Sequence, residues 1–369
     1  MKRSLFDRLT IALFCLFLAG MGLGYLLCPG QEFSELEKRY LAEPPQWSWA
    51  LFASGTFGEE TEEYLADHIP GRSFFVGLNA YYNRWTLRRA DQDIYVAAQG
   101  RLVEAPAAWS QTAAQKNMSA VNRFVQQTQA DAALMLIPSG GWAAEKTITG
   151  PAKPYRDREL IQRIYAMAEG KLDTVDLLDE FEGRTDWFFR TDHHWNSLGA
   201  YQGYRLYQQS RGRTYAPEEL FTLKNCGAFQ GSTYSRSALW LTEPEELSLL
   251  VSDSPITVTN LESEQLHEGP YYWERLEQWD KYTVNLDGNH SLVRLTNPQG
   301  EGKLLVIRDS FANSMGVFLA ESYETVVLVD LRYYKEAVSD LILQEGFDEV
   351  LICYSLSNFL TDNNLLWLR

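Results

Sequence analysis

The stretch Lys303-Leu304-Leu305-Val306-Ile307-Arg308-Asp309-Ser310-Phe311-Ala312-Asn313 decides the fold. Lys303 to Ile307 is a short apolar run of the kind that forms a strand buried on both faces, and the helical pattern from Ala312 to Glu321 follows at once. A buried strand therefore runs straight into a serine that opens a helix. Working outward, further apolar runs at 133–137, 174–178, 325–329 and 349–353 read as strands. Helical stretches at 157–168, 196–209 and 334–345 lie between several of them. This alternation predicts an α/β fold, a parallel sheet covered on both sides in three layers, α/β/α. Sites in such sheets gather at the carboxyl ends of the strands, so Ser310 is placed at a functional rim, with helix N-terminal amides beside it. Residues 232–295 fit the pattern badly, and the aromatic stretch from His267 to Tyr282 reads as an insertion or a small β-rich flap.

Before the sheet comes a different kind of sequence. Lys2 and Arg3 precede an uncharged run from Leu9 to Leu27, which at about 1.5 Å per residue approaches the roughly 30 Å of bilayer hydrocarbon. Positive charge before the run and Glu32, Glu35 and Glu37 after it place the N-terminus in the cytoplasm and the rest outside. An uncleaved anchor is preferred to a signal peptide, because Gly22 and Gly24 make only a weak small-x-small cleavage site. The expected organisation is a transmembrane anchor over 1–28, a stalk over 29–55 broken by Pro29, Pro44 and Pro45 with Trp47 and Trp49 packing on the body, and a catalytic domain over 56–369. Helices are expected from Phe57 to Tyr64 and from Ser73 to about Arg88. The expected location is the cell membrane, single-pass, with the body extracytoplasmic.

Composition excludes several function classes. The net charge is -16, so a general attraction to nucleic acid is not expected. Cys15, Cys28, Cys226 and Cys353 show no C-x-x-C spacing, which argues against a zinc ribbon or a disulfide scaffold. A Cys226–Cys353 bridge and two buried thiols remain equal readings, and Cys28 lacks the small residues that a lipidation box wants before it.

The chemistry concentrates in two places. Thr191-Asp192-His193-His194-Trp195-Asn196 packs ionisable residues just before a helical stretch, and Asp309-Ser310 ends the strand already described. A serine hydroxyl is a weak nucleophile until a base takes its proton, and the base needs an acceptor to hold its tautomer. Asp192 and His194, two apart on a turn, supply acceptor and base, and Ser310 the nucleophile. Taken singly each has a plain alternative: Asp192 as a helix N-cap, the histidines as surface or core residues, Ser310 as a small helix-start residue.

The Asp-His-His-Trp run resembles the signature of the DHHW family, and its pairing with a later strand-Asp-Ser-Phe resembles the SGNH-like proteins of alginate O-acetylation. Supporting pieces are 64–72, 136–139 and 330–334. The resemblance implies an SGNH, flavodoxin-like domain with the catalytic motifs in circularly permuted order, Ser310 as nucleophile, His194 as general base and acid, and Asp192 as orienter, with His193 a neighbour. Those SGNH-like proteins carry a Gly-Asp-Ser serine block, and this sequence departs from it in having Arg308 at the glycine position. Oxyanion or substrate-binding roles fall by position on Gly231, Arg332, Tyr354, Asn358, Asn313 and His193. The implied activity is acyl, most simply acetyl, transfer to or from a cell-surface polysaccharide or cell-wall glycan, without a cofactor, with a membrane-bound O-acyltransferase as donor partner. Two other readings are a metal-dependent hydrolase using Asp192, His193 and His194, and a non-catalytic glycan-binding protein using Trp240, Trp273 and Trp279. Adjacent histidines rarely converge on one metal, and most aromatics are core.

Overall fold

A computed structural model describes residues 5–27, 30–34, 39–86 and 94–369. Lys2, Arg3, Cys28, Glu35, Glu37 and the expected helix end near Arg88 lie outside the described residues. The chain divides into two compact units, residues 1–92 with 235–241, and residues 93–234 with 242–369. The division falls at Gln92–Asp93, so the helices after residue 55 cluster with the N-terminal unit and not with the sheet.

In the N-terminal unit a helix runs over Leu5–Leu27, and its Phe6–Leu27 portion is long and apolar enough to cross a membrane. Further helices follow at Trp49–Ser54, Thr56–Asp67 and Arg72–Trp85. The first of these falls inside the expected stalk, opened by Ser48, whose hydroxyl accepts the Leu51 N–H. Trp47 and Trp49 do not pack into a core: Trp47 meets Phe52 at a tilt and Phe57 edge-on, Trp49 meets Phe52 edge-on, and both stay exposed.

The second unit is built on one eight-stranded sheet. In chain order its strands are β1 (Ala132–Ile137), β2 (Leu172–Val175), β3 (Thr257–Asn260), β4 (Gln265–Glu268), β5 (Leu292–Thr296), β6 (Lys303–Arg308), β7 (Thr325–Val329) and β8 (Glu349–Ser355). The spatial order is β4-β3-β5-β7-β6-β8-β1-β2. Five neighbours, β7-β6-β8-β1-β2, are parallel. The three on the other side are antiparallel. The strand expected at 174–178 sits earlier, because Leu178 already begins a short helix.

The segment read as an insertion thus supplies part of the sheet itself. Its remainder includes the strand Glu245–Val251, which pairs antiparallel with Thr222–Phe229 just before the segment, the two flanking residues 230–244.

Alternation along the strands sorts the core into two layers. Met135, Val306, Leu328 and Leu351 point to one face, under helices α3 (Ser197–Ser210) and α4 (Ala312–Ser322). Leu134, Leu305, Val327 and Ile352 point to the other, under α1 (Gln111–Thr128), α2 (Asp157–Tyr165), α5 (Val338–Glu345) and α6 (Leu356–Thr361). Both faces of the central strands are therefore dry. At about 1.5–3 kcal/mol for each large apolar side chain fully buried, these strands are the rigid frame on which the carboxyl-end loops stand. Cys226 and Cys353 are free, and Cys353 is buried in β8.

Candidate active site

Two turns bring the site together, and each is closed by an aspartate binding the amide two residues on. Asp192 Oδ1 accepts the His194 N–H at 2.9 Å, and Asp309 Oδ1 accepts the Phe311 N–H at 3.0 Å. The first turn is the tip of a tight loop in which Phe188 bridges Trp195 and Phe189 N–H reaches His194 O. Its flank is fixed by Glu245, whose carboxylate takes the N–H groups of Arg190 and Thr191 and the Thr191 hydroxyl. The cap that starts α3 is Asn196, which accepts the Gly199 N–H, and not Asp192.

Asp192, His194 and Ser310 form one hydrogen-bonded chain. His194 Nδ1 lies 2.6 Å from Asp192 Oδ1, and His194 Nε2 lies 2.8 Å from Ser310 Oγ. With the Nδ1 proton given to the carboxylate, Nε2 is the open acceptor for the serine proton. The other oxygen of Asp192 accepts both the N–H and the hydroxyl of Ser232, at 2.7 and 2.8 Å. Burial pushes the Asp192 carboxyl up, but the charges of His194 and His193 and the hydrogen bonds from His194 outweigh it and hold the group well below the usual carboxylate range. Asp192 is therefore an anion throughout the neutral range.

Tyr282 and Trp195 hold the two turns against each other. The Tyr282 ring stacks on the His194 imidazole at 3.9 Å and 7°, and its hydroxyl donates to Ser310 O at 3.0 Å. Burial pushes the Tyr282 phenol well up, so it stays a neutral donor. The Trp195 indole N–H donates to Phe311 O at 3.0 Å and Ser314 Oγ at 2.9 Å. The tryptophan of the motif thus bonds directly to the serine turn.

Asp309 braces the serine turn from below: its Oδ2 accepts the N–H and hydroxyl of Ser355 and the amide of Asn358, at 2.8, 2.9 and 2.8 Å. Arg308, at the position where a glycine was expected, is almost wholly buried. Its guanidinium reaches Asn289 Oδ1 at 2.9 Å and Asp330 Oδ2 at 3.2 Å. Burial lowers the Arg308 pKa and the charge of Asp330 pulls it back up. A larger residue is accommodated because it has its own acceptors.

The remaining expected residues are scattered in role. Gly231 gives its N–H to Thr191 Oγ1 at 3.2 Å, and a Cβ there would stand 2.3 Å from the Asp192 carboxylate, so close approach is what requires glycine. Asn358 serves Asp309. Tyr354 points into the core on the opposite face from Phe311 and Tyr282, away from the serine. Arg332 forks onto Asp330, and Asn313 donates to Asn289 Oδ1 at 3.0 Å. His193 is at the site: its Nδ1 meets Ser232 Oγ at 2.6 Å and its ring centroid lies 3.8 Å from that of His194. Although 29% of its side chain is exposed, surrounding protein and the charge of His194 push its pKa down, against the pull of Asp192.

Ligand atoms of Asp192, His193 and His194 all lie within 4.8 Å of one another, but each imidazole Nδ1 is already engaged, with Asp192 or Ser232. Sequence reasoning missed Ser232, Tyr282 and the brace at Asp309. The first two lie in the stretch read as an insertion.

Comparison with known proteins follows the same lines. Residues 158–329 match the model of the DHHW protein family. No curated protein matches the chain. Among solved structures, a DHHW family protein from Eubacterium siraeum DSM 15702 is 18% identical, with 74% of this chain and 96% of that chain covered at a TM-score of 0.62. Bacillus cereus PatB1, in a structure with a sulfonyl adduct, is 20% identical, with 75% and 98% covered at the same TM-score of 0.62. The resemblance to the DHHW family, read first from Asp192-His193-His194-Trp195, thus holds over residues 158–329 and over the fold.

Proposed function

We propose that this chain is an extracytoplasmic, membrane-tethered serine enzyme that moves an acyl group, acetyl in the simplest case, to or from a hydroxyl of a cell-surface polysaccharide. The observation that carries the reading is the unbroken chain from Asp192 through His194 to Ser310, at 2.6 and 2.8 Å. Ser310 Oγ attacks the ester carbonyl while His194 Nε2 takes its proton, and Asp192 steadies the imidazolium that forms. His194 then returns the proton to the departing alcohol, leaving the acyl group on Ser310. A second hydroxyl, from sugar or water, reverses these steps. The Ser310 N–H meets no acceptor among the described residues and is the nearest main-chain donor for the developing oxyanion. The Phe6–Leu27 helix supplies the tether, and a membrane-bound acyl donor on the same surface would supply the acyl group.

The test is release of 4-nitrophenol from 4-nitrophenyl acetate by the purified full chain and by Ser310→Ala. The wild type turns over, and Ser310→Ala loses roughly three orders of magnitude or more. A sulfonyl adduct is described for PatB1 of similar fold, so a sulfonyl fluoride is the second reagent: it should mark Ser310 and block release. Equal release by wild type and Ser310→Ala would end the proposal.

A further inference from the structure

The hydrogen-bond ledger around Ser232 fixes the state of the second histidine. Asp192 is ionised and can only accept, so the Ser232 hydroxyl proton, 2.8 Å from Asp192 Oδ2, is committed to it. Ser232 Oγ can then only accept from His193 at 2.6 Å, which puts the imidazole proton on Nδ1. His193 Nε2 is left as a bare lone pair with no hydrogen-bond partner among the described residues, on a ring that is 29% exposed. Its ring lies 3.8 Å from that of His194. Side by side therefore stand two imidazoles of the same tautomer, one accepting from Ser310 and one accepting from nothing.

We infer that His193 Nε2 is the acceptor-side recognition group, taking a hydrogen bond from a hydroxyl next to the one that receives the acyl group, so that the site selects a vicinal diol. This rests on the acyl-transfer reading above. In the transfer step the reacting hydroxyl oxygen bonds to the acyl carbon, its proton passes to His194 Nε2, and the bond to Ser310 Oγ breaks. Ser310 Oγ then recovers the proton from His194. The neighbouring hydroxyl meanwhile donates to His193 Nε2 and keeps its proton. Water and monohydric alcohols have no second hydroxyl to place there.

The test gives the full chain 4-nitrophenyl acetate with equal concentrations of 1,2-propanediol and 1-propanol and measures the ratio of the two acetylated products. The wild type prefers the diol. His193→Asn keeps an amide donor for Ser232 but has no nitrogen at the Nε2 position, and its diol preference falls roughly fivefold, the loss of one hydrogen bond. His193→Gln, whose amide oxygen reaches farther, recovers part of it. Equal acetylation of both alcohols by the wild type, acetate as the only product, or an undiminished preference in His193→Asn overturns the role of His193. Ser310-dependent nitrophenol release in those same reactions leaves the catalytic reading standing, and its absence takes both down.

Discussion

Strand β8 has a buried acid network at each end, and the two are built differently. At its amino end Glu349 accepts from Tyr207, Arg211, Arg213 and Tyr323 at 2.9, 3.1, 3.0 and 3.2 Å. Arg211 also pairs with Asp173 and Asp131. Both oxygens of Glu349 are engaged. At its carboxyl end Ser355 and Asn358 hold Asp309, which holds the serine turn. There the valences are not all filled: among the described residues the Ser310 N–H and His193 Nε2 meet no partner. A closed network ties strands together, whereas an open one keeps a place for a ligand.

The contrast can be broken most decisively at Asp192. Asp192→Asn should keep the fold but drop kcat by roughly four orders of magnitude, because an amide no longer fixes the His194 tautomer. Circular dichroism and the nitrophenyl assay together check it. A loss of tenfold or less would mean that the carboxyl-end network is structural too.

The opposite outcome is expected at the other end. Glu349→Ala leaves Arg213 and part of Arg211 uncompensated and should reduce unfolding free energy by about 3 kcal/mol, the low end for a broken buried pair, because Arg211 retains two acids. Urea denaturation measures it, and the rate per folded molecule should not change. A rate falling in step with that of Asp192→Asn would erase the distinction.

The smallest effect sharpens the comparison through pH. Asp157, nearly fully buried, accepts the Ser139 N–H at 2.7 Å just past the carboxyl end of β1. Burial pushes its carboxyl up to about 6, against the hydrogen bonds from Ser139. The folded state therefore binds this proton more tightly than the unfolded one. The resulting stability is fully present below about pH 4 and is lost as pH rises through 6, by about 2 kcal/mol. Asp157→Asn should match the parent near pH 4 and exceed it by about that amount at pH 8. A pH-independent difference between the two would remove the proton linkage.

What was legible in the sequence follows from which signals are local. Four of the five parallel strands showed because burial on both faces makes a continuous apolar run, as in Leu304 to Ile307, whereas the edge strand Leu172–Val175, with Asp173 and Thr174 exposed, has no such run and was expected two residues late. The antiparallel strands did not, because a half-covered strand such as Thr257–Asn260 shows no such run and is three-quarters polar in sequence. The three members of the Asp192–His194–Ser310 chain were legible because each sits in a compact motif at a strand or helix boundary. Tyr282 and Ser232 were not, since a stacking tyrosine and a bridging serine look like any other until the chain folds over them. Arg308 showed as a departure from the family pattern, yet its acceptors, Asn289 and Asp330, lie 19 and 22 residues away.

The Trp195 indole bond to Phe311 joins segments 116 residues apart. During synthesis Asp192 and His194 leave the ribosome well before Ser310 does, and the loop between them closes only once α4 is in place. A nascent chain ending before residue 310 carries both histidines yet lacks the serine that His194 meets. Ser310-dependent activity, under the proposed function, would thus be a late reporter of folding, and its recovery on refolding should lag behind that of helix and sheet content.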